Sequence, residues 1–171
     1  VHNSFKPLKK DKTLTFKIGN HLTLQPFQRI QWYGRGPWES YWDRKTSAMV
    51  GLYEGTIADQ YYPYVRPQEN GNKSDVRWAR LSKKGVSLTI YSIDTLLNVN
   101  ALPYSPTQLF PGVEKGQTHA GELTPSPYTH LDIDLQQLGL GGDNSWGNLP
   151  MQQYLLYLYQ PYSYSYRIEV H

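Results

Sequence analysis

Apolar and polar side chains alternate with a period of two along much of this chain, the signature of strands whose successive residues face opposite sides of a sheet. The tail is the clearest case: Tyr162, Tyr164, Tyr166, Ile168 and Val170 alternate with Ser163, Ser165, Arg167 and Glu169. The same pattern predicts strands over 29–33, 75–81, 86–92, 96–101 and 130–136. Thr13 to Ile18 alternates too, and Gly19-Asn20 then predicts a hairpin turn into His21-Leu22-Thr23-Leu24. Only 47–54 and 107–110 are candidates for short helix, without sustained helical spacing of apolar positions. Long irregular stretches fill 34–46, 60–74 and 111–127, lengths uncommon in a domain unless the loops have a task.

Composition agrees with strands. Fifteen Tyr, 5 Trp and 4 Phe accompany 14 Gly and 12 Pro, so side chains suited to half-buried pleats are punctuated by turn formers. The expectation is an all-β chain, one domain over residues 1–171, long enough to bury a core. Lys+Arg number 17 against 14 Asp+Glu, and the basic residues are scattered, which argues against a nucleic-acid partner. No cysteine is present, so disulfides and thiolate metal sites are excluded while the compartment, cytoplasmic or periplasmic, stays open. No apolar run has the length of a membrane helix, so no membrane partner is expected. The start at Val1-His2-Asn3-Ser4-Phe5, without Met or signal-peptide features, reads as a piece of a longer polypeptide, a processed or engineered start fitting equally.

Chemistry is sparse. Glycoside hydrolysis usually needs two carboxyl groups at fixed separation. Glu39 and Asp43 fall in a Gly/Pro-rich segment and read as a turn-stabilising pair, while Asp132 and Asp134 alternate with Leu131, Ile133 and Leu135 and read as the solvent face of a strand. His2, His21, His119, His130 and His171 show no ligand spacing and read as scattered surface or loop residues. Gly139-Leu140-Gly141-Gly142-Asp143 has the glycine density of a phosphate loop but is followed by loop formers, so it predicts a tight turn with positive φ. That turn carries Trp146 beside Asp143, Asn144 and Asn148. Such an indole either reaches back into the core or projects outward, where its flat face suits the C–H side of a sugar and the neighbouring Asp and Asn suit its hydroxyls. Five aromatics also crowd Trp32 to Arg44. They suit a sugar or single-strand nucleic-acid platform, or a loop folded back with Arg35 and Arg44 stacking on rings or pairing with Glu39 and Asp43.

Three segments carry a resemblance. Gly34-Arg35-Gly36-Pro37-Trp38-Glu39-Ser40-Tyr41-Trp42-Asp43-Arg44, then Arg66-Pro67-Gln68-Glu69-Asn70-Gly71-Asn72-Lys73-Ser74-Asp75-Val76-Arg77-Trp78, then Gly139-Leu140-Gly141-Gly142-Asp143-Asn144-Ser145-Trp146 resemble, in order and separation, motifs of the β-galactosidase small-chain domain of glycoside hydrolase family 2. The likeness covers about residues 22 to 170. It implies a large antiparallel β-sandwich, a supersandwich of galactose-mutarotase-like type, standing at the C-terminal end of the parent chain. It implies that Trp146, with Asn144 and Asp143 beside it, reaches into the sugar site of a separate catalytic barrel domain. The catalytic glutamates, and the Mg or Na of the parent enzyme, belong to that barrel, so no catalytic residue and no cofactor are expected in this chain. The implied partners are a β-galactoside and the barrel domain, with homo-oligomerisation left open. Three departures stand out: Ser40 replaces a common Asn, Lys9 to Gly19 matches poorly, and the resemblance implies that the chain is the C-terminal part of the small-chain domain, without that domain's front half.

The competing reading is an independent carbohydrate-binding or mutarotase-like domain. An epimerase needs a convergent acid and base, for which His119 or His130 opposite Glu69 or Glu122 are the available pairs.

Overall fold

Ten strands carry the alternating pattern. The computed structural model describes residues 1–8, 11–66, 68–112, 119–142, 144 and 146–171. In chain order the strands are β1 His2–Phe5, β2 Lys17–Leu24, β3 Arg29–Gly36, β4 Met49–Thr56, β5 Lys73–Val76, β6 Trp78–Lys83, β7 Val86–Ser92, β8 Leu97–Leu102, β9 Thr129–Gln137 and β10 Tyr162–Val170. They form two antiparallel sheets, one ordered β1-β10-β7-β6-β3-β4 and the other β2-β9-β8-β5. One short helix, α1 at Pro106–Leu109, is set by Ser105, whose hydroxyl accepts the Gln108 N–H while Gln108 Oε1 accepts the Ser105 N–H.

The inner faces of the two sheets meet in one core. Ile30, Trp32, Ala79, Leu81, Ile90, Tyr164 and Tyr166 come from the six-stranded sheet; Val76, Leu97, Val99, Ala101, Leu131 and Ile133 from the other. Each fully buried Leu or Ile contributes about 1.5–3 kcal/mol. An exposed ion pair such as Arg29–Glu54 contributes about 0–1 kcal/mol, so sandwich burial dominates. The buried polar tips find partners: Trp32 donates its indole N–H to the Arg35 carbonyl at 2.9 Å, and the Tyr164 hydroxyl lies 2.8 Å from the Ile133 carbonyl across the layers. The all-β sandwich expected from the sequence is the architecture found.

Four local expectations are corrected. Thr13 to Leu24 is not a hairpin: β2 runs straight through Gly19-Asn20 and pairs along its length with β9, with a bulge between Ile18 and Gly19. Gly19 serves close approach rather than a turn, since a Cβ there would sit 1.8 Å from Asp134 Oδ1. The segment 47–54 is not helical; it leads into β4, which pairs with the whole of β3, and its Val50 and Tyr53 suit a strand better than a helix. The predicted strand 75–81 is two strands, β5 and β6, in different sheets. Asp75 has a φ of 53°, and the chain steps from one layer to the other at Arg77, whose N–H donates to the Tyr33 carbonyl.

The fourth correction concerns Asp132 and Asp134, which are 6% and 3% exposed rather than on a solvent face. Lys17 Nζ lies 3.0 Å from Asp132 and 4.0 Å from Asp134, and the Gln137 amide donates to Asp134 at 3.0 Å. Alternation locates their side of the strand correctly but is silent about what covers it. Burial pushes the Asp134 carboxyl up to about 7; the Lys17 charge opposes the rise and the Asp132 charge adds to it. The folded chain therefore keeps a proton that the unfolded chain releases near the ordinary 3.8. The stability this provides is complete below that value and is lost as pH rises through 7. Asp134→Asn, permanently neutral, should match the native chain near pH ~4 and exceed it by about 4 kcal/mol near pH ~8. Urea unfolding of both proteins across that range measures the difference, and a gap that does not change with pH refutes the assignment.

Candidate functional site

One corner of the sandwich gathers all three motif segments. The first leaves the end of β3 and is pinned by carboxylates. Glu39 accepts the Gly71 N–H at 2.8 Å and the Tyr41 hydroxyl at 3.0 Å, and pairs with Arg44 at 2.5 Å. The Arg44 guanidinium also lies 5.1 Å from the centre of the Tyr41 ring. The fold-back reading thus holds for Glu39 and Arg44. Arg35 is used differently: it pairs with Asp75 of the second segment and donates to the Ala48 carbonyl at 2.8 Å.

Ser40 is fully buried against the second segment. Its backbone N–H donates to the Asn72 carbonyl, the Asn72 amide returns a bond to the Ser40 carbonyl at 2.7 Å, and the Ser40 and Ser74 hydroxyls lie 2.7 Å apart. Ser74 fills the space and hydrogen-bonding role facing Ser40. Asp75 receives Lys45 at 2.8 Å as well as Arg35; burial alone would raise its carboxyl, but these two cations hold it below the usual carboxylate range. Lys73 is buried with Nζ 2.9 Å from the Gly71 carbonyl and 5.1 Å from the centre of the Trp32 ring. Burial lowers this ammonium to about 8, the Glu39 charge resisting.

The third segment follows β9. Gly139 donates to the Tyr154 carbonyl at 2.9 Å, and Gly141 donates its N–H to Asp43 Oδ2 at 2.8 Å. A Cβ on Gly139 would meet Asp43 Oδ2 and Tyr154 Cβ at 2.8 Å, so the chain can pass only as glycine. Gly141, Gly142 and Gly147 have φ of 69°, 101° and 82°, the positive values expected of this turn. Asn144 Oδ1 then accepts the Trp146 N–H at 2.8 Å, which sets the direction of the chain at the indole. Trp146 is 91% exposed, so within this chain it projects outward. Asn144 is exposed beside it, and Asp143 lies outside the described residues.

Next to this loop a cleft of about 460 Å³ is lined by Trp42, Tyr154, Lys45, Asp75, Asn98 and Gln136 among others. Trp42 meets Tyr154 edge to face, with ring centres 5.9 Å apart. Rings and amides line it, and its carboxylate, Asp75, is already paired with Arg35 and Lys45.

A model of the family described as β-galactosidase small chain matches residues 1–168. The chain belongs to the β-galactosidase small-chain family. That match includes Lys9 to Gly19, the stretch where the motif likeness is poor. A β-galactosidase of Priestia megaterium is 40% identical over 90% of this chain, and one of Lactobacillus delbrueckii subsp. bulgaricus is 44% identical over 68% of it. A β-galactosidase of Pseudoalteromonas haloplanktis is 31% identical over 82%. The chain spans only 14%, 11% and 12% of these relatives' lengths. The small-chain motifs are therefore one structural unit here: the first two form a socket, and Asp43 of the first holds the glycine turn of the third.

The groups considered for acid–base work are placed elsewhere. Glu122 accepts the backbone N–H of His119 in a single turn, a capping arrangement rather than a facing pair. Glu69 bonds Lys17 at 3.0 Å, while His130 faces His21. The view of His21 and His130 as scattered is corrected, since β2 and β9 bring their rings to 5.5 Å centre to centre. Spacing in sequence holds no trace of this contact, and the pairing of β2 with β9 is the only route to it. Among the described residues no group of three or more His, Asp or Glu forms a metal cluster.

If Asp43 tethers the loop, Asp43→Ala should speed amide exchange at Gly141 at least ~10-fold and lower global stability by about 1 kcal/mol. Hydrogen exchange read residue by residue checks this; unchanged protection at Gly141 refutes it.

Proposed function

We propose that this chain acts as the accessory domain of a β-galactosidase and supplies Trp146 as a wall of the galactoside site. The reading rests on family membership and on one observation: the indole stands almost fully exposed on a turn whose backbone is fixed at both ends. An exposed indole is a flat apolar face with a single N–H donor, suited to stacking on the C–H face of a pyranose ring. Asn144, exposed beside it, and Asp143, its neighbour in sequence, supply the chemistry for bonding sugar hydroxyls. The two catalytic glutamates, and the Mg or Na that the resemblance implies, belong to a barrel domain outside this chain. This domain then contributes binding and orientation, while proton transfer and covalent chemistry come from the barrel.

In an intact parent β-galactosidase, Trp146→Ala should weaken galactoside binding by about 1–3 kcal/mol, read as KM and kcat on an aryl galactoside. The 171-residue chain alone should not turn over that substrate. Unchanged constants in the parent would return Trp146 to a structural role. Faster mutarotation of fresh α-galactose by the isolated chain, followed by polarimetry, would support the independent-domain reading instead.

A further inference from the structure

The outer side of the four-stranded sheet carries a second arrangement, unrelated to Trp146. His21 Nδ1 lies 2.6 Å from Asp132 Oδ1. Lys17 Nζ lies 3.0 Å from the same carboxylate, so Asp132 is an acceptor and His21 Nδ1 donates to it. His21 Nε2 is then a free lone pair. His130 Nε2 lies 2.9 Å from the Ser126 hydroxyl, which itself lies 3.3 Å from the Tyr128 carbonyl. With Ser126 donating to that carbonyl, His130 Nε2–H donates to Ser126 and leaves Nδ1 as a second lone pair. The two nitrogens face each other at 3.4 Å.

That separation is long for an N–H···N hydrogen bond, which prefers about 2.7–3.2 Å. It equals the spacing of two imidazole nitrogens bound to one tetrahedral zinc, about 3.3–3.4 Å for bonds of 2.0–2.1 Å. The Thr23 hydroxyl, 3.4 Å from His21 Nε2, borders the same point. Asp132, shared between Lys17 and His21, is the carboxylate that borders the rings. A histidine that donates its far nitrogen to a carboxylate is the usual outer support of a metal ligand.

We propose that His21 Nε2 and His130 Nδ1 form a binding site for a divalent transition-metal ion of the zinc class. Asp132 and Ser126 orient the rings, and water completes the coordination. The ion would clip β2 to β9, tying the edge of the sheet to its second strand.

Calorimetric titration of the chain with zinc chloride at neutral pH tests this. One ion should bind per chain with micromolar affinity, and zinc should raise the unfolding temperature. His21→Ala and His21→Gln, each first verified by its own unfolding transition, should lose at least ~10-fold in affinity together with the zinc-induced rise. Asp132→Asn should weaken binding ~10- to 100-fold with both ligands still in place. Absence of binding below ~1 mM overturns the proposal. So does binding that survives in both His21 variants and in His130→Ala, because zinc would then sit on other histidines.

Discussion

A carboxylate removed from water must be surrounded by donors; Glu39 and Asp75 meet that demand, while Asp43 is held through Oδ2 and its Oδ1 is buried without a partner among the described residues. Glu39 takes Gly71, Tyr41 and Arg44; Asp75 takes Arg35 and Lys45; Asp43 takes Gly141, 98 positions away. Removing Glu39 would leave the buried Gly71 N–H and Tyr41 hydroxyl without their acceptor, and removing Asp75 would leave Arg35 and Lys45 without their shared carboxylate. The corner is therefore specified by polar satisfaction, whereas the sandwich behind it is specified by apolar burial. Part of the motif likeness follows this division: Ser40, Asn72, Asp75 and Gly139 are residues whose exchange would leave an unpaired group or a clash.

Legibility of the strands tracked how local their determinants are. β7 and β10 coincide with the alternating segments, and β8 and β9 differ by a residue at their ends, because each has one face in the core. The failures share one cause. Gly19-Asn20 has turn composition, yet pairing with β9 keeps the chain extended; 47–54 has no strand signal strong enough to outweigh its helical candidates until β3 lies beside it. At Asp75 a single positive φ redirects the chain between layers, which period-two alternation has no means of recording.

For the loop that carries Trp146, residue chemistry left the direction of the indole open. Trp146 among glycines and short polar residues suited either core or solvent, and only the tether to Asp43 and the Asn144 turn decide for solvent. The polar side of β2 and β9 was harder still. Asp132 and Asp134 alternate like surface residues because their partners, Lys17, His21 and Gln137, come from another strand or the strand's own end. Buried polar clusters of this kind are built from register, and register is a property of pairs of strands.

The manner in which the Trp146 turn is held has an evolutionary consequence. Asp43 grips a backbone N–H, and Asn144 grips another, so the fastening is indifferent to most side chains along the turn. Leu140, Leu149 and Met151 stand exposed around it. Substitutions at these three positions should accumulate with little cost to folding. The rim around the indole is thereby free to vary in size and polarity, while the socket beneath it tolerates few exchanges.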